Sequence, residues 1–200
     1  MCTVTSAEES FNDVGTINNI SLIMPKFPLL TQPGQINEKM FCNESDERSE
    51  YCPADLDICF CTHRLKVKLN SIVEFYIVDL TDEMTHPFHV HGHKFVVTDI
   101  RMFDERITPE TMFDSDISEF DESEYPKSYP YKDTVLVPNP GYARIRFRAN
   151  NPGFWLLHCH FEWHLAIGMG LILQVGELNE MIKPPEGFPT CNEYVPDIMV

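Results

Sequence analysis

"GFWLLHCHFEWHLAIGMGLILQVGE", residues 153–177, joins two apolar runs through a segment that carries three histidines, a cysteine and a methionine. GFWLLHCH and GLILQVGE read as strands, because each is short, mostly apolar and bounded by turn-forming residues. Between them, EWHLAIG reads as one helical turn. Successive side chains on an extended strand point to opposite faces, so His158 and His160 share one face while Cys159 takes the other. One metal ion cannot easily use all three.

The same alternation recurs upstream. In HPFHVHGH, residues 86–93, His89 and His91 are i, i+2 neighbours on one face, and His86 precedes them behind a proline. The simplest assembly sets Cys159, His86 and His164 around one metal and gathers His89, His91, His158 and His160 around a second centre behind the strand. A thiolate with two imidazoles and a weak axial thioether is the ligand set of a blue-copper electron-transfer centre, and Met169, five residues past His164, can supply the thioether. Zinc is the rival, but its structural sites usually show paired cysteines or Cys₂His₂ spacing, which neither motif has.

Working outward, RLKVKLNSIVEFYIVDL, residues 64–80, first alternates apolar and polar residues and then turns nearly all apolar, as two strands or one bent strand entering a core would. A third strand is expected at about 89–100, and KDTVLVP and GYARIRFRAN are short strand patterns separated by the turn signal PNPG. With little helical periodicity, the chain reads as an all-β sandwich or barrel. Residues 1–64 read as an irregular, cysteine-containing lead-in, part of the same domain or a linker from another, with a possible strand at TINNISLIM. Residues 65–180 form the expected core and 181–200 a tail. Residues 104–124 hold nine acidic side chains against one arginine and read as a surface loop.

Acidic residues outnumber basic ones 31 to 15, and the net charge of −16 repels phosphate backbones and anionic membrane surfaces. No apolar run approaches the roughly 20 residues of a membrane-spanning helix. The sequons Asn19-Ile20-Ser21 and Asn43-Glu44-Ser45, together with seven cysteines, point to an oxidising, extracellular compartment. The first residues lack the basic start and apolar middle of a secretory leader, so a secreted protein is expected to begin further upstream. With Cys159 reserved as a ligand, Cys2, Cys42, Cys52, Cys59, Cys61 and Cys191 allow three disulfides in fifteen arrangements. Cys2 or Cys191 can instead pair with another domain, and a metal site at Cys59, Cys61 and His63 is an alternative.

The patterns His-Pro-x-His-x-His and His-Cys-His-xxx-His-xxxx-Met resemble those of the multicopper oxidases, and within them the arthropod-type laccases. The resemblance covers roughly residues 16–191 and is strongest at 86–98 and 132–176. It implies a cupredoxin-like Greek-key sandwich, the last of three such domains. It also implies a type 1 copper held by His86, Cys159 and His164 with Met169 axial, a type 2 copper on His89, and a type 3 pair on His91, His158 and His160. The activity implied is one-electron oxidation of phenolic or other aromatic donors, entering near His164 or His86, coupled to four-electron reduction of O₂ to water. The family completes its cluster with a His-Trp-His motif in the first domain, which this sequence lacks, so the chain is expected to be a C-terminal portion, inactive without its N-terminal cupredoxin domains.

The alternative is a single-copper electron carrier without oxygen chemistry, which would leave His89, His91, His158 and His160 unused. His63 and His93 fit neither motif and read as hydrogen-bonded core or surface residues. Phe88, Phe154, Trp155 and Trp163 read as packing that keeps water from the metal.

Overall fold

A computed structural model describes residues 2–7, 14–43, 57–80, 84–104, 108, 110–111, 130–188 and 190–191. In it lie twelve strands and one short helix: β1 (Cys2–Ala7), β2 (Val14–Ile17), β3 (Ile20–Leu22), β4 (Phe41–Cys42), β5 (Cys59–Val67), β6 (Ile72–Asp79), β7 (His86–Val90), β8 (Val96–Met102), β9 (Thr134–Val137), β10 (Gly141–Arg148), β11 (Gly153–Cys159), α1 (Glu162–Ala166) and β12 (Gly170–Val175). The acidic stretch expected as a surface loop lies almost wholly outside the described residues, as do Cys52 and half of the 181–200 tail.

Neighbouring strands follow the order β8-β10-β6-β1-β2-β3-β5-β12-β11-β7-β9, with β4 beside β5. The path folds back on itself around one core. Val73, Phe75 and Ile77 of β6 and Ala143, Ile145 and Phe147 of β10 pack with Phe88 and Val90 of β7, Leu157 and Cys159 of β11, and Leu171 and Leu173 of β12. The result is the expected β-sandwich.

The 64–80 run forms two strands, β5 and β6. Ser71 N–H closes the turn on Lys68 O at 3.1 Å, and Asn70 adopts φ 65°. The nearly all-apolar β6 is buried on both faces, since Tyr76 and Val78 meet Tyr142 on the side away from the main core. The strand expected at 89–100 also divides, into β7 and β8, at a turn through Gly92.

TINNISLIM is a hairpin, β2 and β3, joined by Asn18 and Asn19 at φ 55° and 59°. Asparagine tolerates this left-handed geometry, which matches the strand twist in a two-residue turn. Beyond the hairpin, Leu22, Leu29, Ile36 and Phe41 cover the outer side of Ile172, Phe154 and Leu156, so the irregular lead-in clads the sandwich.

Cys42 and Cys61 form a disulfide, and Cys59 is disulfide-bonded too. That corrects the alternative of a Cys59, Cys61 and His63 metal site, because both sulfurs are already oxidised. Cys191 is a free thiol, so the six cysteines do not all pair among themselves.

Candidate metal centres

Strand β11 runs between β7 and β12, and its register sets the chemistry. His158 lies opposite His89, Cys159 opposite Phe88 and Leu157 opposite Val90. Directly opposed residues share a face, so His158 and His89 project together, and the pleat adds His91 and His160 to that side. Cys159 points the other way, into the main core, with no exposure.

On the core side the chain returns to Cys159 through α1. Cys159 N–H donates to Met169 O at 3.1 Å, Met169 N–H donates to His164 O at 2.9 Å, and Cys159 Sγ lies 3.5 Å from His164 Nδ1. The rings of His86 and His164 are 4.9 Å apart. Met169 is 1% exposed and packs in the same core as Cys159. The structure thus brings together the thiol, two imidazoles and thioether expected as one ligand set.

The hairpin holds this loop in place. Gly15 N–H donates to Ile167 O and Leu22 N–H to Gly168 O, both at 2.9 Å, while Ser21 Oγ donates to Ile167 O at 3.2 Å. A β-carbon on Gly15 would stand 3.0 Å from Met169 Cβ and 3.1 Å from His164 O. Sequence reasoning did not connect these residues to the site, because the contact joins segments nearly 150 residues apart.

Asp79 was missed as well. It closes β6 with no exposure, and its Oδ2 lies 2.5 Å from Nδ1 of His86, itself 1% exposed. Burial first, and then the Asp79 carboxylate, push the Cys159 thiol up to about 11, while the Phe161 backbone works the other way. The signal was a carboxylate at the end of the apolar run FYIVD, where a charge needs a partner.

On the opposite side the four rings gather into one cluster. His89 lies 4.8 Å from His91, 5.8 Å from His158 and 5.6 Å from His160 between ring centroids. His89 Nδ1 donates toward Asp133 O at 2.9 Å with Thr134 Oγ1 at 3.0 Å, and His158 Nδ1 donates to Cys159 O at 2.8 Å. A neutral imidazole that donates through Nδ1 keeps its lone pair on Nε2. His91 Nε2 lies 3.2 Å from His158 Nε2, so in the metal-free cluster His91 donates to His158. Burial lowers the pKa of both rings, and the neighbouring imidazoles lower it further, which keeps them neutral as ligands must be. His91 and His160 are exposed, and His89 and His91 border a cavity of about 410 Å³.

Among the described residues, no three His, Cys, Asp or Glu side chains already grip a common point. The donor types still fit copper, since a buried thiol and thioether with two imidazoles form a soft set, and the second cluster is all imidazole.

His93 packs between Phe147 and Trp155, outside both clusters. His63 is fully buried as a core residue, but neither of its ring nitrogens has a hydrogen-bond partner, which corrects the expectation of a satisfied histidine. Phe88 is buried as expected; Trp163 is 62% exposed, so it is not packing around the metal. The helical turn α1 turns its ring outward because Trp163 and His164 project from different sides of so short a helix.

Comparison with known proteins agrees with this geometry. The profile of the Multicopper oxidase family matches residues 25–179. The chain is similar to Laccase-11 of Arabidopsis thaliana, 34% identical over 200 aligned residues that cover 90% of this chain and 33% of that protein. It is also similar to the iron transport multicopper oxidase FET3 of Saccharomyces cerevisiae, 33% identical over 78% of this chain and 22% of that one. Among solved structures, that of Fet3p, a multicopper oxidase that functions in iron import, superposes with a TM-score of 0.53 at 30% identity, covering 87% of this chain and 30% of that chain. The laccase from Botrytis aclada gives 0.55 over 92% and 29%, and at 23% identity it speaks for the fold alone. The chain spans about a third of the length of the laccases it matches. These likenesses support a laccase-like kinship without singling out an arthropod type. With a β-sandwich, a buried thiol backed by histidines on the reverse face, and a family profile across most of its length, the chain belongs to the multicopper oxidases, whose cofactor is copper.

Proposed function

We propose that this chain is the C-terminal cupredoxin-like domain of a laccase-like enzyme that oxidises phenolic or other aromatic donors one electron at a time and reduces O₂ to water. His86, Cys159 and His164, with Met169 axial, would hold the type 1 copper; His89 would hold the type 2 copper; His91, His158 and His160 would serve the type 3 pair. When bound, copper supplies the one-electron redox chemistry of both centres.

The observation that carries this reading is the division of faces at 158–160. Cys159 faces His86, His164 and Met169, while its two neighbours join His89 and His91 on the reverse side. The two centres are therefore linked by backbone bonds and by the hydrogen bond from His158 to Cys159 O. His164 is half-buried, whereas His86 is 1% exposed, so His164 is the edge a donor can reach. A single-copper carrier would leave four clustered imidazoles without a role.

The exposed rings of His91 and His160 suit a cluster completed by N-terminal cupredoxin domains of the same enzyme. The lead-in belongs with the copper-binding core of residues 65–180, since β2 and β3 brace the loop that carries His164 and Met169. Secretion is consistent with the disulfide and with Asn19, the exposed acceptor of one sequon.

Copper loading tests the proposal. The holoprotein is expected to show an intense visible band that Cys159→Ser abolishes, and the 200-residue chain by itself is expected to consume no oxygen with a phenol. An unchanged spectrum in Cys159→Ser would reject the ligand set, and vigorous oxygen uptake by the chain alone would reject the shared cluster.

A further inference from the structure

We infer that Asn19 carries an N-linked glycan, attached before the β2–β3 hairpin closes against the loop that bears His164 and Met169. Attachment in the cell rests on the secretion proposed above; the choice of site and the order of events rest on geometry. Asn19-Ile20-Ser21 has the Asn-x-Ser form of a glycan acceptor, without proline at its centre. Asn19 is exposed at the tip of the hairpin, with φ 59°. Its backbone is committed, since Asn19 O accepts from Cys59 N–H at 2.9 Å, but its side-chain amide has no partner among the described residues. An exposed turn tip leaves room for a bulky sugar. The second sequon offers less, because Asn43 is half-buried, already engaged, and directly follows the disulfide-bonded Cys42.

The rest of the first sequon is closed off. Ile20 and Ser21 are 2% and 5% exposed. Ile20 packs with Cys42 and Cys61, and Ser21 Oγ donates to Ile167 O at 3.2 Å. Gly168 lies so close to the same oxygen that a β-carbon there would stand 2.0 Å from it. Leu22 N–H seals the next position on Gly168 O at 2.9 Å. A transferase must hold the acceptor amide and the serine hydroxyl together, because the hydroxyl distinguishes the sequon from any other asparagine. In the folded chain it can reach the first and not the second. Ser21 therefore serves twice, first as half of the acceptor signal and later as a brace for the loop, and the two uses exclude each other in time. In the transfer, Asn19 Nδ2 gives up one proton and bonds to the anomeric carbon of an oligosaccharide. The carbon–oxygen bond to a polyprenyl-pyrophosphate carrier breaks, and the pyrophosphate leaves with the electron pair. Nothing is oxidised or reduced.

Two experiments separate the site from the order of events. For the site, the chain is expressed behind a cleavable secretory leader in eukaryotic cells, and its glycans are removed by N-glycosidase in heavy-oxygen water. Mass spectrometry is expected to find the label at position 19. It should disappear in Ser21→Ala and in Asn19→Asp, which keeps a residue that tolerates the left-handed turn. A bare Asn19, whether or not Asn43 is occupied, overturns the site. For the order, the chain made without glycan is folded, with Cys42–Cys61 closed, and offered transferase and lipid-linked oligosaccharide. It should be modified at least about tenfold more slowly than the same chain reduced and unfolded, since the brace must open first. Equal rates overturn the order. Should the protein from its own source carry free thiols at Cys42 and Cys61, secretion falls, and occupancy in the cell with it. The leader-directed chain still decides whether Asn19 is an acceptor.

Discussion

The two sides of β11 differ in how complete they are. On the core side, Cys159, His86 and Met169 are each at most 1% exposed, and the chain closes over them with its own loop, braced by the N-terminal hairpin. On the reverse side, His91 and His160 are open, and the Nδ1 atoms of His89 and His158 are tied down by oxygen acceptors while Nε2 of His158 meets Nε2 of His91. One donor set depends on packing within this chain; the other is oriented by hydrogen bonds and lies open. Damage to the fold should therefore silence the first centre and spare much of the second.

The largest expected effect comes from Gly168→Ala, which attacks the brace. Gly168 has φ +106°, and a β-carbon there would sit 2.0 Å from Ser21 Oγ and 3.0 Å from Gly15 O. Backbone strain and overpacking each cost about 1–3 kcal/mol, so a loss of about 4 kcal/mol is expected in urea unfolding. The visible copper band should weaken while copper bound at the histidine cluster remains. Equal damage to both would mean that the two sides are not separately supported.

What the sequence disclosed follows from this contrast. The alternation at 89–91 and 158–160 is local, so the faces of five donor-type residues, His89, His91, His158, Cys159 and His160, were legible before any fold was known. Which partner strand sits beside β11 was not, because the register of His158 on His89 is a tertiary choice. Asn18 and Asn19 looked like residues within a strand, since asparagine becomes a turn signal only when the flanking strands pair. Asp79 looked like the polar end of an apolar strand, and only its contacts with His86 and with the returning Asn139 explain how a carboxyl group stays buried there. The outward Trp163 was misread because apolarity predicts burial only on average, and large apolar groups remain common on surfaces.

His63 sharpens the comparison from outside both centres, because it is as buried as His86 but has no partner. Burial pushes its imidazole down to about 4 from an ordinary 6.5. The folded protein thus holds the ring neutral where the unfolded chain would protonate it. Stability is full above about pH 6.5, falls as pH drops from there, and stops falling near pH 4 once the folded ring also takes up a proton. The loss at pH 4.5 is roughly 2–3 kcal/mol. His63→Leu should remove that part of the acid sensitivity and add about 1–3 kcal/mol at pH 7 by deleting two unsatisfied nitrogens. Urea unfolding at the two pH values measures both; a variant that is destabilised at pH 7 and keeps the wild-type acid slope would show that the ring has a partner in solution.

The smallest effect is expected on the open side, from Thr134→Val. His89 Nδ1 divides its hydrogen bond between Asp133 O at 2.9 Å and Thr134 Oγ1 at 3.0 Å, so losing the hydroxyl leaves the carbonyl as acceptor. The cost should stay below about 1 kcal/mol, or less than about fivefold in copper affinity at the histidine cluster. Copper titration of the variant measures it, with the visible band as an internal control, since Thr134 lies on the far side of β7 from Cys159. A collapse of copper binding would mean that the hydroxyl, not the backbone, aims His89. The open cluster would then depend on side chains as heavily as the closed one does, and the contrast between a packed centre and a hydrogen-bonded half-site would no longer hold.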